Sequence, residues 1–191
     1  MSLDAQRQAS QSVSAFDSLL ERYKEVSDSQ RGKGSWLEQA TRAYLKNDSE
    51  MRRQFAEVYF WRDWPGGGKA HRPDTGIDLV AIETDDMSAD GIVKPDTPAV
   101  AIQCKFYAQG TKIRKEHLDS FLSESGKRPF KRRIFVETTG TPWGSNAEEA
   151  IRNQQVPVSR IGLTDLRNSD IDWSTYEPNE PEKAPEKCSH P

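Results

Sequence analysis

The chain has 191 residues, which is enough for one domain with a real core, and its 30% charged residues give it a soluble, rather polar composition. The formal net charge of −3 gives no global signal for nucleic-acid binding, so any such binding needs a local basic patch. The two cysteines, Cys104 and Cys188, lack the spacing of a disulfide framework or a zinc site, which favours a reducing cytoplasm. No apolar run approaches the roughly 18 residues of a membrane span, and no signal-peptide pattern opens the chain.

An amphipathic helix is predicted near the N-terminus, because apolar residues from Phe16 to Tyr23 recur at helical spacing. Since residues 1–30 are otherwise rich in Ser, Gln and charge, we expect them to form a helical arm that is loosely tied to the core. Two glycines in residues 31–34 then predict a break, after which a second helix runs from Ser35 to about Lys46.

Two apolar segments bounded by breakers, residues 76–82 and 100–107, predict a pair of central strands. Side chains alternate between the faces of a strand, so Gln103 and Lys105 point one way. Antiparallel pairing with the first segment places Asp78 beside that pair. A carboxylate, an amide oxygen and an ammonium group then converge at one end of a small sheet, an arrangement that can hold a divalent metal next to a phosphate.

The remaining elements predict an α/β fold. A short helix and a strand precede the central pair, and alternating helices and strands follow it, which indicates a mixed sheet with helices on both faces. The predicted ranges are a helix at 49–56, a strand at 58–61, an exposed acidic connection at 85–98, helices at 114–125, 145–151 and 163–167, and strands at 133–137 and 156–161. Residues 177–191 lack periodicity and predict a linker.

Each candidate residue also has a plain structural explanation. Asp78 can be a strand-end residue that faces solvent, and Gln103 and Lys105 can form the polar outer face of an edge strand. Glu38 can supply a second carboxylate from the second helix. Alternatively, Ser35 and Glu38 form a capping box, in which the glutamate reaches back to the serine backbone.

Two groups of basic residues flank the predicted helix at 114–125. Such groups are usually solvated surface residues. Alternatively, both groups flank the same edge of the sheet and form a surface that neutralises several phosphates of a nucleic-acid backbone. Group A comprises Lys112, Arg114 and Lys115, and group B comprises Lys127, Arg128, Lys131, Arg132 and Arg133. The tryptophans Trp61, Trp64, Trp143 and Trp173 are expected to pack in the core, as is Cys104.

The central segments resemble the Mrr-like branch of the PD-(D/E)xK nuclease superfamily. The resemblance rests on Gly76-Ile77-Asp78-Leu79-Val80, Ala101-Ile102-Gln103-Cys104-Lys105-Phe106-Tyr107 and Asp119-Ser120-Phe121, with shorter matches at 61–65, 146–148, 154–158 and 171–173. That branch often replaces the last acidic residue by glutamine, which gives the D…QxK variant. The longer pattern, over residues 32–176, is similar to the N-terminal nuclease domain of Type ISP restriction-modification and helicase polypeptides.

The resemblance implies a restriction-endonuclease-like α/β/α sandwich around a mixed central sheet. It makes Asp78 the metal-binding aspartate, Gln103 its neutral partner and Lys105 the catalytic lysine, and it matches Glu38 to the acidic residue of the first family helix. The backbone carbonyl of Cys104 completes the expected ligands for Mg²⁺, for which Mn²⁺ can substitute. The literal Pro73-Asp74 pair is expected to be a decoy, because Asp78 follows the Gly-x-Asp pattern.

The expected function is therefore that of a Mg²⁺-dependent DNA endonuclease domain at residues 31–176, the cleavage module of a larger enzyme. Its expected partners are DNA and, in the same parent polypeptide, an ATP-driven translocase and a methyltransferase. Residues 177–191 would lead toward the missing ATPase. The alternatives are a catalytically silent DNA-binding or docking module of the same fold, and a dimeric junction-resolving nuclease of the same superfamily.

Overall fold

The computed structural model describes residues 14–26, 30–67 and 75–177. These ranges contain five strands and six α-helices, which are numbered here in chain order. The strands are β1 (Phe55–Phe60), β2 (Leu79–Glu83), β3 (Ala99–Lys105), β4 (Phe130–Glu137) and β5 (Val158–Ile161). The helices are α1 (Ala15–Val26), α2 (Gln30–Asn47), α3 (Met51–Gln54), α4 (Asp119–Glu124), α5 (Ser145–Ile151) and α6 (Leu163–Arg167).

The strands form one sheet in the order β1-β2-β3-β4-β5. The sheet is mixed, as the sequence predicted. The first three strands are antiparallel, and β3, β4 and β5 are parallel. Leu79 pairs with Ile102, and Lys105 lies beside Glu137. The start of β2 and the ends of β3 and β4 therefore share one end of the sheet, called here the site end. The opposite end, where Ala99 lies beside Phe130, is the far end.

Helices cover both faces of the sheet, which gives the expected α/β/α sandwich. One core contains Leu37 of α2, and apolar residues of α1 and α6 share it. The core on the other face contains Phe121 of α4 and Ala147 of α5, together with Trp64. Burial of alternate strand residues on the two faces follows from the pleat of the sheet.

The N-terminal helix is an integral part of the first core. Phe16, Leu19 and Leu20 are at most 3% exposed, and Arg167 Nη2 of α6 lies 2.7 Å from Asp17 Oδ1 of α1. The prediction of a loosely tied helix is therefore wrong, because the apolar stripe of α1 has a partner surface that its own sequence does not reveal. The domain boundary at residue 30 stays a prediction.

The second helix begins before the predicted break. α2 runs through Gly32 and Gly34, so the glycines do not interrupt it. Each glycine costs about 1 kcal/mol in a helix interior relative to alanine. Burial of Trp36 and Leu37, at 3% and 0% exposure, offsets that cost. Ser35 consequently lies inside the helix, and the capping-box explanation of Glu38 is wrong.

Other differences concern the ends of elements. The predicted helix at 114–125 divides into a 3₁₀ turn, Lys115–His117, and the short helix α4. Strands β1 and β4 begin three residues earlier than predicted, at Phe55 and Phe130. The Pro73-Asp74 pair and the predicted linker from residue 178 onward lie outside the described residues. No helix among the described residues is long and apolar enough to cross a membrane.

Candidate functional site

Asp78 lies at the site end, immediately before β2, and its backbone is held from both sides. Its amide donates to the Ile102 carbonyl at 2.9 Å, and its carbonyl accepts from the Trp61 amide at 2.8 Å. Its carboxylate oxygen Oδ2 accepts from the Cys104 amide at 2.7 Å. A charge-assisted bond of this kind fixes the carboxylate against β3. The structure thus brings Asp78 to the Gln103–Lys105 segment through the antiparallel pairing of β2 and β3 that the sequence predicted.

Gln103 is a fully buried amide on the face that α4 covers. Its residue is 1% exposed, and its side-chain oxygen Oε1 accepts no hydrogen bond. A buried acceptor without a partner costs about 1–3 kcal/mol. The edge-strand explanation of Gln103 is therefore wrong, because β3 is the central strand and the side chain does not face solvent. A cation bound to Oε1 would remove the cost.

Lys105 is the last residue of β3 and is partly buried. Alternation along the strand places it on the same face as Gln103. Lys105 forms no ion pair with any residue that the structure describes. Its neighbour in register is Glu137, whose buried carboxylate accepts from the backbone amide and the hydroxyl of Thr139. The ammonium group of Lys105 is therefore available at the site end.

Cys104 lies between Gln103 and Lys105 in β3, and its side chain is on the opposite face of the sheet. Its thiol points toward α2, and its Sγ lies 3.5 Å from Thr41 Oγ1. Burial, followed by the nearby negative charge of Asp78, raises the pKa of this thiol well above its usual value, and Glu38 adds to the effect. The thiol is thus a neutral core group, as predicted. Glu38 lies one turn before Thr41, so it approaches the site from the face opposite Gln103.

The two basic groups lie at opposite ends of the sheet. Group A is at the site end, because the Ile113 carbonyl accepts from Gly144 and the Gly110 amide donates to Thr139, both of which follow β4. Group B surrounds the start of β4, at the far end. The prediction that both groups flank one edge is therefore wrong.

Group B is largely occupied by contacts within the protein. Lys131 pairs with Glu83 and Asp86, and Arg132 Nη1 donates to Glu83 at 3.0 Å. Arg133 is 2% exposed and cannot reach a phosphate. Hydrogen bonds within the core, rather than DNA, explain its presence.

Two residues at this site have no role that the sequence predicted. Gly76 precedes Asp78 in the Gly-x-Asp triplet, and that triplet was the available signal. Glu137 is a buried carboxylate beside Lys105. No sequence signal pairs Glu137 with Lys105, because the register of two parallel strands cannot be predicted from the sequence of either strand alone.

A restriction endonuclease family model, Mrr_cat_2, matches residues 46–183. This match covers more than half of the chain. The chain belongs to the Mrr_cat_2 family of restriction endonucleases. Restriction endonucleases generally use a divalent metal ion.

Two solved structures resemble this restriction endonuclease domain. One is the ATP-dependent Type ISP restriction-modification enzyme LlaBIII bound to DNA, with 29% identity and a TM-score of 0.64 over 91% of this chain and 10% of that chain. The other is the MspJI restriction endonuclease in complex with a 27-mer oligonucleotide, with 18% identity and a TM-score of 0.52 over 87% of this chain and 33% of that chain. The second likeness shows the fold alone. The domain thus spans a third or less of these neighbours, and no curated protein matches it.

The donor atoms of this restriction endonuclease domain fit a hard divalent cation. Asp78 offers a carboxylate, and Gln103 offers a buried oxygen without a partner. Among the described residues, no group of three or more His, Cys, Asp or Glu side chains is arranged to hold a metal. A metal at this position would therefore depend on amide and backbone oxygens as well as on carboxylates.

Proposed function

We propose that the domain is a Mg²⁺-dependent DNA endonuclease that hydrolyses phosphodiester bonds at the site end of its sheet, with Mn²⁺ as a possible substitute. The observation that carries the proposal is the buried Gln103 oxygen without a hydrogen-bond partner, adjacent in the chain to the amide that fixes Asp78. Protein cores rarely leave such an atom unsatisfied, and a bound ion is one of the explanations for an exception, along with ordered water, strain or a catalytic role.

The proposed ligands are Asp78, Gln103 and the backbone carbonyl of Cys104, with Glu38 as an additional carboxylate. Glu38 is the least direct of them, because it approaches from the opposite face of the sheet. A bound Mg²⁺ would polarise the scissile phosphate and lower the pKa of an attacking water. Since an amide is a weaker ligand for a hard cation than a carboxylate, we expect weak metal affinity in the isolated domain.

Lys105 is the proposed catalytic lysine. Its ammonium group, at the end of β3, would orient the attacking water and stabilise the negative charge that develops on the phosphate. The Cys104 amide would meanwhile keep the Asp78 carboxylate in one orientation through their 2.7 Å hydrogen bond. Two rigid backbone elements thus hold the reactive groups, as a preorganised site requires.

DNA is the proposed substrate, and group A is the proposed contact surface for its backbone, since it lies at the site end. The likeness to LlaBIII, of which the chain spans a tenth, supports a place as the cleavage module of a larger enzyme. We propose that the same polypeptide carries an ATP-driven translocase and a methyltransferase. Target recognition would then come from those parts rather than from this domain.

Plasmid nicking tests the proposal. We would compare the wild-type chain with Asp78→Ala and Lys105→Ala at high protein concentration, in Mg²⁺ and in Mn²⁺. Lys94→Ala is the matched control for Lys105, because Lys94 is exposed in the connection between β2 and β3. We expect both site variants to lose nicking by on the order of 100-fold, as removal of one electrostatic group at an active site does, and the control to keep it.

Two outcomes would contradict the proposal. Nicking that survives both site substitutions would place the active site elsewhere. DNA binding without nicking by any variant, in either metal, would favour the catalytically silent module of the same fold.

A further inference from the structure

Gly76 is packed so closely that it has no room for a side chain. Its φ is +79°, a backbone conformation that favours glycine. A Cβ built on Gly76 would lie 2.8 Å from Nε2 of Gln103 and 2.9 Å from Oγ of Ser120. It would also lie 3.3 Å from the Phe121 amide. The glycine therefore fills the space between the Gln103 amide and the first turn of α4.

Positive φ alone does not account for this packing. Gly91 and Gly110 have φ values of +70° and +83°, yet nothing would lie within 4 Å of a Cβ on either one. At those two positions glycine serves the backbone only. At Gly76 it serves the backbone and also permits contact with the Gln103 amide.

The nitrogen end of the Gln103 amide is the end that lies next to Gly76. The two ends of a glutamine amide have nearly the same shape, but only the oxygen can bind a cation, because the NH₂ group is a donor. The Gln103 nitrogen lies against Gly76, so the oxygen occupies the other side of the planar group, where it accepts no hydrogen bond. A carboxylate at this position would not need such control, since its two oxygens are equivalent.

We propose that Gly76 and Ser120 are positioning residues that hold Gln103 with its amide oxygen toward the metal. This inference rests on the proposed metal-dependent function. Gly76 and Ser120 are needed for this orientation only because residue 103 is an amide, of which only the oxygen can bind a cation. Neither Gly76 nor Ser120 touches the substrate in this account, and both act through Gln103.

Binding of Mn²⁺ to the full 191-residue chain, measured by electron paramagnetic resonance, is the test. We would compare Gly76→Ala with Gly91→Ala, which introduces the same methyl group at a positive φ where there is open space. Urea denaturation would show that both variants lose stability through backbone strain. We expect Mn²⁺ affinity to fall about tenfold or more in Gly76→Ala alone, as it does when a residue that orients a metal ligand is lost.

A rescue variant separates orientation of the amide from general damage. Gln103→Asp is one methylene shorter and presents two equivalent oxygens, so it needs neither the space nor the orientation that Gly76 provides. In the Gln103→Asp background, Gly76→Ala should change Mn²⁺ affinity by less than about twofold. The effects of the two substitutions are then not additive, because Gly76 acts on Mn²⁺ binding only through the Gln103 amide. An equal loss in both backgrounds would overturn the inference, as would a Gly76→Ala variant that binds Mn²⁺ as Gly91→Ala does.

Ser120→Ala provides a second variant that adds no backbone strain, and Ser123→Ala, at an exposed position of the same helix, is its control. We expect weaker Mn²⁺ binding in Ser120→Ala only, and unchanged binding in both would count against the inference.

Asp78→Ala separates this inference from the proposed function. A wild-type chain that binds no Mn²⁺, or binds it equally well without Asp78, would overturn both. Binding that needs Asp78 but ignores Gly76 and Ser120 would overturn only the orientation of the amide.

Discussion

Replacing Arg133 by alanine should destabilise the fold and leave DNA cleavage by the folded protein unchanged. The Arg133 guanidinium is buried and donates four hydrogen bonds. Its acceptors are Ser125 Oγ at 2.8 Å, the Leu122 carbonyl at 2.9 Å, the Val156 carbonyl at 2.6 Å and Gln154 Oε1 at 3.2 Å. One side chain thus ties the C-terminal part of α4 to the segment that enters β5.

The expected magnitude follows from what the substitution leaves behind. Alanine would leave the Leu122 and Val156 carbonyls and the Ser125 hydroxyl without their donor. Each buried acceptor left without its donor costs about 1–3 kcal/mol, so the total loss should be about 3 kcal/mol or more, which is a large part of the stability of a small domain. Lysine should restore little of it, because a single ammonium group cannot reproduce the planar fork of arginine.

Urea denaturation of Arg133→Ala measures the loss, and Arg132→Ala is the matched control. Arg132 is partly exposed and pairs with Glu83, so its loss should cost about 1 kcal/mol or less. Nicking per folded molecule should match the wild type in both variants. A stability loss below about 1 kcal/mol in Arg133→Ala, together with weaker DNA binding, would show that this residue contacts phosphate after all.

Three further predictions concern the core, the acid limit and the DNA surface. Leu20→Ala should lower the free energy of unfolding by about 2–5 kcal/mol, because Leu20 is 1% exposed; a negligible loss in urea would mean that α1 is a dispensable arm. Burial raises the pKa of Glu83, but hydrogen bonds from Lys131 and Arg132 outweigh it and hold the pKa below its usual 4.5. Glu83 therefore contributes stability above pH 4.5, and this contribution is lost as the pH falls through its lower folded pKa. In urea denaturation at a series of pH values, Glu83→Gln should reduce the fall in the free energy of unfolding at acid pH. An unchanged dependence of the free energy of unfolding on pH would refute this. Lys112→Ala should reduce the salt dependence of DNA binding by about 0.7–0.9 in log–log slope, whereas Lys94→Ala should not; equal effects would argue against group A as the DNA surface.

The sequence was sufficient for the mixed sheet and its central strands, because period-2 alternation and bounding breakers are local signals. It was insufficient for the first two helices. The amphipathic stripe of α1 shows a buried face but not its partner, and the glycines at 32 and 34 suggested a break. Tertiary burial of Trp36 and Leu37 overrides that local preference in α2.

At the candidate site, too, local features could be predicted from the sequence and non-local ones could not. Alternation along β3 placed Gln103 and Lys105 on one face and Cys104 on the other, and the structure agrees. The ends of the sheet at which groups A and B lie depend on the parallel pairing of β3 and β4, which is a non-local property. The prediction that both groups flank one edge is wrong for that reason.

Diffraction from crystals soaked in Mn²⁺, with the metal located by its anomalous signal, tests the central claim most directly. We expect a Mn²⁺ ion about 2 Å from an Asp78 carboxylate oxygen and from Gln103 Oε1, the range in which small divalent cations bind oxygen ligands. A Mn²⁺ ion bound elsewhere, or none at this position, would contradict the claim that Asp78 and Gln103 form the metal site of this restriction endonuclease domain.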